Sequence, residues 1–581
     1  MMVSKTKLSV RAVLLAAAVL PAACASGPQE DAADLVLRNG HIATVDESMP
    51  VAEAVAIRGH TIVAVGTNAE IARYVGRGTE VIDLEGRLAM PGFIEGHGHF
   101  MGLGQAKMNL DLMNVRNWDE VVQMVAAAAA DAPGDAWIVG RGWHQEKWDE
   151  APMPNVQGIP LHTSLDSVSP NNPVLLTHAS GHMSFANARA LELAGITRDT
   201  PDPDGGEILR DADGNATGLL RQNAQGLASR ARSRAEGQRT EQDRDNESRR
   251  AVQLAGQEAL SKGVTSFHDA GASYSGVDFF RRLESEDELP IRLYVMIRDG
   301  LDNHEQHMAH YLSPAEENDF LVVRAIKVAI DGALGSHGAW LLEPYADRAG
   351  HTGFSTTPVA QVGRIAELAI ANGFQLNIHA IGDRGNREVL DIYESQFAAN
   401  PDKSDLRWRI EHAQHLDPAD IPRFGEMGVI ASMQGIHATS DAPWIHPRLG
   451  EERARHGAYV WRSLLDSGAV IANGTDVPVE DIDPIASFYA SVSRRTNTGE
   501  VFYEEQRMTR EEALHSYTLA NAFAAFEEDV KGSITPGKLA DIVVLSHNIM
   551  TVPEEEIPNA RVDMTILGGR VVYRRDAAVA Q

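Results

Sequence analysis

Two imidazoles one residue apart, His97 and His99 in the run Pro91-Gly-Phe-Ile-Glu-Gly-His-Gly-His-Phe100, are the part of this sequence best suited to chemistry. Side chains two apart on an extended strand face the same side. Two neutral imidazoles placed that way can share a metal ion at roughly 2.0–2.1 Å each. Gly96 and Gly98 leave the backbone bare, so the expectation is that an ion or substrate approaches closely between them. A polar strand end with two solvated histidines accounts for the pair equally well. Only further ligands downstream decide between the two readings.

The elements that would carry such ligands follow from the apolar pattern. Short alternating strands run from Asp34 to Gly40, from His41 to Val45 and from Ala54 to Gly66, with a hairpin turn at Arg58-Gly59-His60; Val81 to Gly86 adds another. The same texture returns only in Ala540 to Leu545 and Met564 to Tyr573. Residues 34–87 and 536–575 therefore form a composite β-sandwich built from both chain ends. Between them, apolar strands alternate with longer helical runs, the pattern of parallel βα units. Candidate strands lie near 88–94, 263–268, 291–297, 322–330, 374–379, 407–412, 428–433 and 470–475. Eight of them predict an α/β fold, a (β/α)8 TIM barrel over 88–535. The stretch after strand one is too long for an ordinary loop, so residues 105–260 are read as an inserted subdomain over the barrel mouth. Arg230 to Arg250, dense in charge, reads as one solvated helix.

A barrel of this kind carries its active residues at the C-terminal ends of its strands. Strand one ends in His97 and His99, and strand four carries Lys327 inside an apolar run. Strands five, six and eight end at His379, His412 and Asp476.

With these residues in hand, the chain resembles the amidohydrolase superfamily, and within it the YtcJ-like branch that includes N-substituted formamide deformylases. The resemblance rests on Pro91-Gly-Phe-x-x-x-His-x-His99, Ile326-Lys-Val-Ala-Ile-Asp-Gly-Ala-Leu-Gly335, Ile378-His-Ala-Ile-Gly-Asp383, Ile410-Glu-His412, Gly474-Thr-Asp-Val-Pro478 and Gly532-Ser-Ile-Thr-Pro-Gly-Lys-Leu-Ala-Asp541. It implies that His97, His99 and Asp476 bind one divalent ion, that His379 and His412 bind a second, and that Lys327, as a carbamate, bridges the two. It also implies a small-molecule amide as substrate and a homodimer. Three residues depart from the pattern. Glu95 stands where the branch has Asp, and His337 and Gly338 replace Arg and Thr. The last two changes point to an altered substrate pocket.

Physical chemistry supports these roles. A lysine ammonium repels cations, so Lys327 serves only when deprotonated and carboxylated, and burial favours both. Metal ions would lower the pKa of a water towards ~7 and polarise a carbonyl. Asp476 would then take the water's proton and return it to the departing amine. Nitrogen-rich ligation suits zinc, one ion or two, and iron, manganese or cobalt also fit. On the substrate side, the resemblance gives His182 a substrate-facing role, against an ordinary hydrogen-bonded histidine. Trp143 lines the pocket or belongs to a core. Asp383 orients His379 or its loop. His268 is read as a pocket wall, and His304, His307 and His310 as a solvated helix face without the His-Glu-x-x-His pattern of zinc proteases.

The same hydroxide chemistry would serve esters, lactones and phosphoesters, and a non-catalytic metal-binding surface protein is the third reading. A net charge of −29 argues against nucleic acid as a partner. The sequence contains no Gly-x-Ser-x-Gly elbow and no phosphate-binding loop of the Gly-x-x-x-x-Gly-Lys type. Residues 1–25 have the layout of an export signal: Lys5, Lys7 and Arg11, then the apolar run Ala12 to Leu20, then small residues around Cys24. Ala23-Cys24-Ala25 fits cleavage to a soluble exported protein. Small residues before a lone cysteine resemble a bacterial lipoprotein box, although Pro21 replaces its aliphatic residue. The expectation is a periplasmic protein, or one anchored to a membrane by a lipid on Cys24. With one cysteine the chain has no internal disulfide.

Overall fold

Eight apolar stretches become eight parallel strands of one sheet in the computed structural model, which describes residues 1, 32–145, 148–178, 183–203, 206–237, 240–314, 320–335 and 337–575. Cys24 with most of the export segment, and His182, lie outside the described residues. The strands are β1 (Phe93–Gly98), β2 (Val264–Ala272), β3 (Arg292–Ile297), β4 (Leu321–Ala329), β5 (Gln375–Ala380), β6 (Arg409–His412), β7 (Ile430–Gln434) and β8 (Ile471–Gly474), each paired with its sequence neighbour. Just beyond β8, Asp476 N–H donates to the His97 carbonyl at 2.8 Å and His99 N–H to the Val477 carbonyl at 2.7 Å, bringing the last strand round to the first. The expected (β/α)8 barrel is the fold.

The strands are buried on both faces because helices cover the outside, which is why their sequences read as apolar runs. Helix Tyr274–Ser285 shows how. Ser273 caps it by accepting from Gly276 N–H, and Tyr274, Val277, Phe280 and Leu283, three residues apart, form its buried stripe. Helix Val359–Asn372 buries Val362, Ile365, Ala366, Ala369 and Ile370 and stops at Gly373, whose φ of 77° suits glycine. Each fully buried side chain of Val, Ile, Leu or Phe type contributes about 1.5–3 kcal/mol.

Both chain ends meet in the expected sandwich. A four-stranded sheet (residues 35–38, 54–58, 61–66 and 80–83) faces a six-stranded one that takes three strands from each end (41–43, 51–52 and 88–91; 542–545, 562–567 and 570–574). Leu37, Val55, Ile57, Val544 and Ile566 share its core. The expected strand 88–94 is in fact two. Leu88–Pro91 pairs inside the sandwich, and the barrel strand starts at Phe93. Gly92 makes the junction, for a Cβ there would lie 2.3 Å from Thr265 Oγ1.

The insertion after β1 has its own six-stranded sheet and a core of Trp118, Trp143, Trp148, Leu176 and Phe185. The charged stretch expected as one helix is two, Gln225–Gly237 and Glu241–Ser261. Thr240 starts the second with a capping box to Asp243. Among the described residues no helix is long and apolar enough to cross a membrane.

Candidate metal centre

His97 lies inside β1 and His99 one residue beyond it, at the start of helix Phe100–Met108. Both face Asp476: His99 Nε2 is 3.3 Å and His97 Nε2 3.6 Å from its Oδ1. One ligand atom from each of the three falls within 4.8 Å of the others. Lys327 Nζ, on β4, is 3.4 Å from His97 Nε2. The His412 ring centroid is 4.8 Å from that of His97 and 4.5 Å from that of His379. All six side chains expected from the strand ends thus converge.

Close packing, not access, explains the two glycines of this motif. A Cβ on Gly96 would meet Asn473 O and Asn521 Oδ1 at 2.5 Å each, and one on Gly98 would meet Phe267 Cζ at 2.6 Å. Protein atoms occupy the space that the sequence reading assigned to an ion or substrate. His412 and Asp476 are also unusual, with φ of 77° and 58°. Non-glycine residues seldom adopt such values, which cluster at functional sites.

The imidazoles are held by groups whose role the sequence reading left unassigned. His97 Nδ1–H donates to Glu411 Oε2. Arg409 grips Glu411 Oε1 through Nε at 2.7 Å, donates to Gly96 O and Ser432 Oγ at 2.7 Å each, and reaches His268 Nδ1 at 3.1 Å. One buried guanidinium thereby ties β1, β2, β6 and β7 together. His268 is fully buried and holds Arg409, so it is not a pocket wall. His412 Nδ1–H donates to Gln434 Oε1 at 2.7 Å. Glu95 accepts from Thr475 N–H at 2.6 Å and Thr475 Oγ1 at 3.0 Å, which bonds β1 to the loop after β8. A usable sequence signal was Arg409-x-Glu411: charges two apart on an apolar strand share a face and must be paired.

Burial sets the protonation states. It pushes His97 down to about 4 and His379 to about 3, with the Lys327 charge adding to both, and holds His412 well below the usual imidazole range. Their lone pairs are therefore free at neutral pH. Burial lowers Lys327 to about 8, against the pull of Glu411 and Asp476. Burial opposes the charge on Asp476, but the imidazoles around it, His99 at 3.3 Å foremost, hold it below the ordinary carboxylate range. Asp476 Oδ1 and His379 Nε2 are buried without a hydrogen-bond partner. Orphaned acceptors beside neutral imidazoles are a donor set that fits a divalent cation.

A cavity of about 420 Å³ opens beside the cluster, walled by His99, Asp269, Gly271 and Phe280. Asp269, another residue sequence reasoning missed, accepts from Phe100 N–H at 2.9 Å, and burial raises its pKa. The substrate-side candidates lie elsewhere. Trp143 is fully buried in the insertion, and its Nε1–H donates to Leu176 O at 2.9 Å. His337 contacts Asp347 at 3.1 Å and packs on Tyr345 and His351. Asp383 accepts from Leu342 N–H at 2.8 Å and supports its loop. His304, expected on a solvated face, is buried and bonded to the Tyr274 hydroxyl at 2.8 Å.

The sequence model of the amidohydrolase family matches residues 80–573. The Arabidopsis thaliana protein LONG AFTER FAR-RED 3 is 35% identical over 553 residues, covering 93% of this chain and 92% of that protein. N-substituted formamide deformylase of Arthrobacter pascens is 28% identical over 554 residues, covering 93% and 98%. Among solved structures, an uncharacterized metal-dependent hydrolase from Pyrococcus horikoshii superimposes with a TM-score of 0.69 at 25% identity, over 90% of this chain and 99% of that one.

Proposed function

Because the chain belongs to the amidohydrolase family, we propose that it hydrolyses a non-peptide carbon–nitrogen bond, that of an N-formyl or N-acyl amine. One observation carries the reading: His97, His99 and Asp476 offer ligand atoms within 4.8 Å of one another, with Lys327 Nζ 3.4 Å from His97. The similarity to N-substituted formamide deformylase supports the choice of bond.

In this reading His97, His99 and Asp476 would hold one divalent ion, and His379 and His412 would hold a second. The Lys327 amine, by adding carbon dioxide with formation of an N–C bond and release of a proton, would supply a further anionic ligand. When bound, the ions, zinc being the best match to this ligand set, supply Lewis acidity to the substrate carbonyl and acidify a water. Glu411 fixes the ring of His97 and Gln434 that of His412. Asp476 Oδ1 accepts the proton of the attacking water and delivers it to the departing nitrogen.

Metal analysis of the purified protein, with a panel of formamides, other amides, esters and phosphoesters, tests this. Bound divalent ions and cleavage of the amides are expected. A metal-loaded protein that cleaves only phosphoesters would overturn it. The N-terminal segment extends the proposal to an exported protein, cleaved after Ala25 to a soluble form or before Cys24 to a lipidated one; intact masses from membrane and soluble fractions showing only uncleaved chains would refute that.

A further inference from the structure

The candidate ligands come from β1, β4, β5, β6 and β8, while β7 contributes Gln434 and, just beyond it, a histidine with no assigned task. Helix Gly435–Leu449 starts directly after β7, and its first turn is pinned from two sides. Gly435 N–H donates to Asn473 Oδ1 at 2.9 Å and Ile436 N–H to Ser487 Oγ at 3.0 Å. A Cβ on Gly435 would lie 2.4 Å from Ser491 Oγ, so the turn has no room to shift. The next side chain is His437, only 7% exposed. Its ring lies nearly parallel to that of His412, at 14° and 6.4 Å between centroids. Its Nε2 is buried without a hydrogen-bond partner. Asp441, one turn on, takes its hydrogen bonds from Tyr459 and Gln414 instead.

A rigid, buried imidazole with an unused nitrogen is a recognition element awaiting a polar partner. Its place beside the cluster says which. Its ring faces that of His412, which in turn packs on the rings of His97 and His379, so His437 borders the same cluster as Asp476. Asp476 delivers its proton to the leaving nitrogen, so that nitrogen must also lie on this side. A secondary amide carries an N–H there; an ester of the same shape does not. A neutral imidazole offers one lone pair, which suits that N–H.

We propose that His437 Nε2 accepts a hydrogen bond from the N–H of a secondary amide substrate and thereby selects amides over isosteric esters. The proposal rests on the hydrolytic reading above and adds the residue that separates two substrate classes open to the same centre. Sites built around a hydrogen bond reject analogues that lack it, because the buried group is then left unpaired.

The test uses a matched pair, an N-alkylformamide and the corresponding alkyl formate, with the metal-loaded wild type and with His437→Leu and His437→Asn. In His437→Leu the amide-to-ester ratio of kcat/KM should fall roughly 30-fold. His437→Asn, which keeps an acceptor oxygen, should recover part of it, and metal content equal to wild type shows that His412 is undisturbed. A ratio within about threefold of wild type overturns the proposal. A second measurement needs no variant: the wild type should prefer the secondary formamide to its N-methylated tertiary counterpart, and equal rates overturn the proposal. A wild type that cleaves neither amide nor ester sinks the hydrolytic reading and this proposal with it. An active enzyme with an unchanged ratio sinks the His437 assignment alone.

Discussion

Nδ1 of His97 donates its hydrogen across the barrel to Oε2 of Glu411, from the first strand to the sixth, with neither side chain appreciably exposed. The bond settles which nitrogen of His97 is left to bind an ion, because a ring that donates through Nδ1 keeps its lone pair on Nε2. Carboxylate partners of this kind orient ligating imidazoles and raise their basicity, and their loss costs roughly 10–100-fold in metal affinity. Glu411→Gln should therefore weaken metal binding by about that factor in a chelator competition, with the fold intact by circular dichroism. Unchanged affinity would mean that the His97 ring needs no such partner.

Arg409 makes a different prediction because it touches no candidate ligand. It balances Glu411 and bonds groups on three further strands, all of them buried. Removing one member of a buried ion pair leaves an uncompensated charge and costs about 3–5 kcal/mol. Arg409→Met should lose about that much stability by urea denaturation. In the double variant Arg409→Met/Glu411→Leu much of the loss should return, since the orphaned carboxylate has gone. A double variant no more stable than the single would assign the loss to packing.

Most of the barrel was legible because strands covered on both faces must be apolar throughout: β3 to β8 appear within two residues of the runs that announced them, and β2 runs four residues past its own. Strand one was not, since Leu88–Pro91 and Phe93–Gly98 are apolar side by side and only the tight contact at Gly92 parts them. The imidazoles could be found from their recurrence at strand ends. The pairing of Glu411 with Arg409 could be found from their spacing, but the Glu411 bond to His97, 314 residues away, could not, nor could the vacant nitrogen of His437. Trp143 was open either way, since an indole near a histidine motif suits a pocket and a core alike, and the structure buries it in the core of the insertion with its hydrogen bond to Leu176.

The buried histidines set the acid limit of the metal-free protein. Burial holds His97 at about 4 and His379 and His415 at about 3, with the Lys327 charge assisting at the first two, below the ordinary imidazole value of about 6.5. These groups are neutral when folded and take up protons when unfolded. Their contribution is complete above about pH 6.5 and is lost as pH falls through that value towards the folded pKa. Near pH 5 the three together give a slope of roughly 4 kcal/mol per pH unit. Urea midpoints measured with a chelator should fall steeply from pH 6.5 to 5, and His415→Gln should reduce the slope by about one proton. A flat profile over that interval would mean that the imidazoles are already charged in the folded state.

Asp476→Asn separates holding from proton transfer. The amide keeps an oxygen where Oδ1 stands but cannot carry a proton from water to the leaving nitrogen. Turnover should fall by about 10²–10⁴, the usual worth of a positioned general acid–base group. Ion retention checks that the loss is one of proton transfer, and near-normal turnover would remove Asp476 from that role.

Lys327 is the residue whose chemical state decides how many ions the centre holds. Carbon dioxide adds only to a neutral amine, and burial has brought this one down to about 8, below the ordinary lysine range. The fraction open to carboxylation therefore grows through pH 8, where an ordinary lysine would remain charged. Metal-free protein reconstituted with zinc at pH 8.5 should take up a second ion only when bicarbonate is supplied, and much less of it at pH 6.5. Lys327→Ala should keep no more than one ion, at His97, His99 and Asp476, because no anion is left to bridge to His379 and His412. Acetate or propionate should restore part of the second, entering the space the side chain vacates. Metal stoichiometry across these conditions decides the matter: two ions in Lys327→Ala without added carboxylate, or no bicarbonate dependence in the wild type, would mean that the lysine carries no carboxyl group. In that case its ammonium would stand 3.4 Å from His97 beside a single ion.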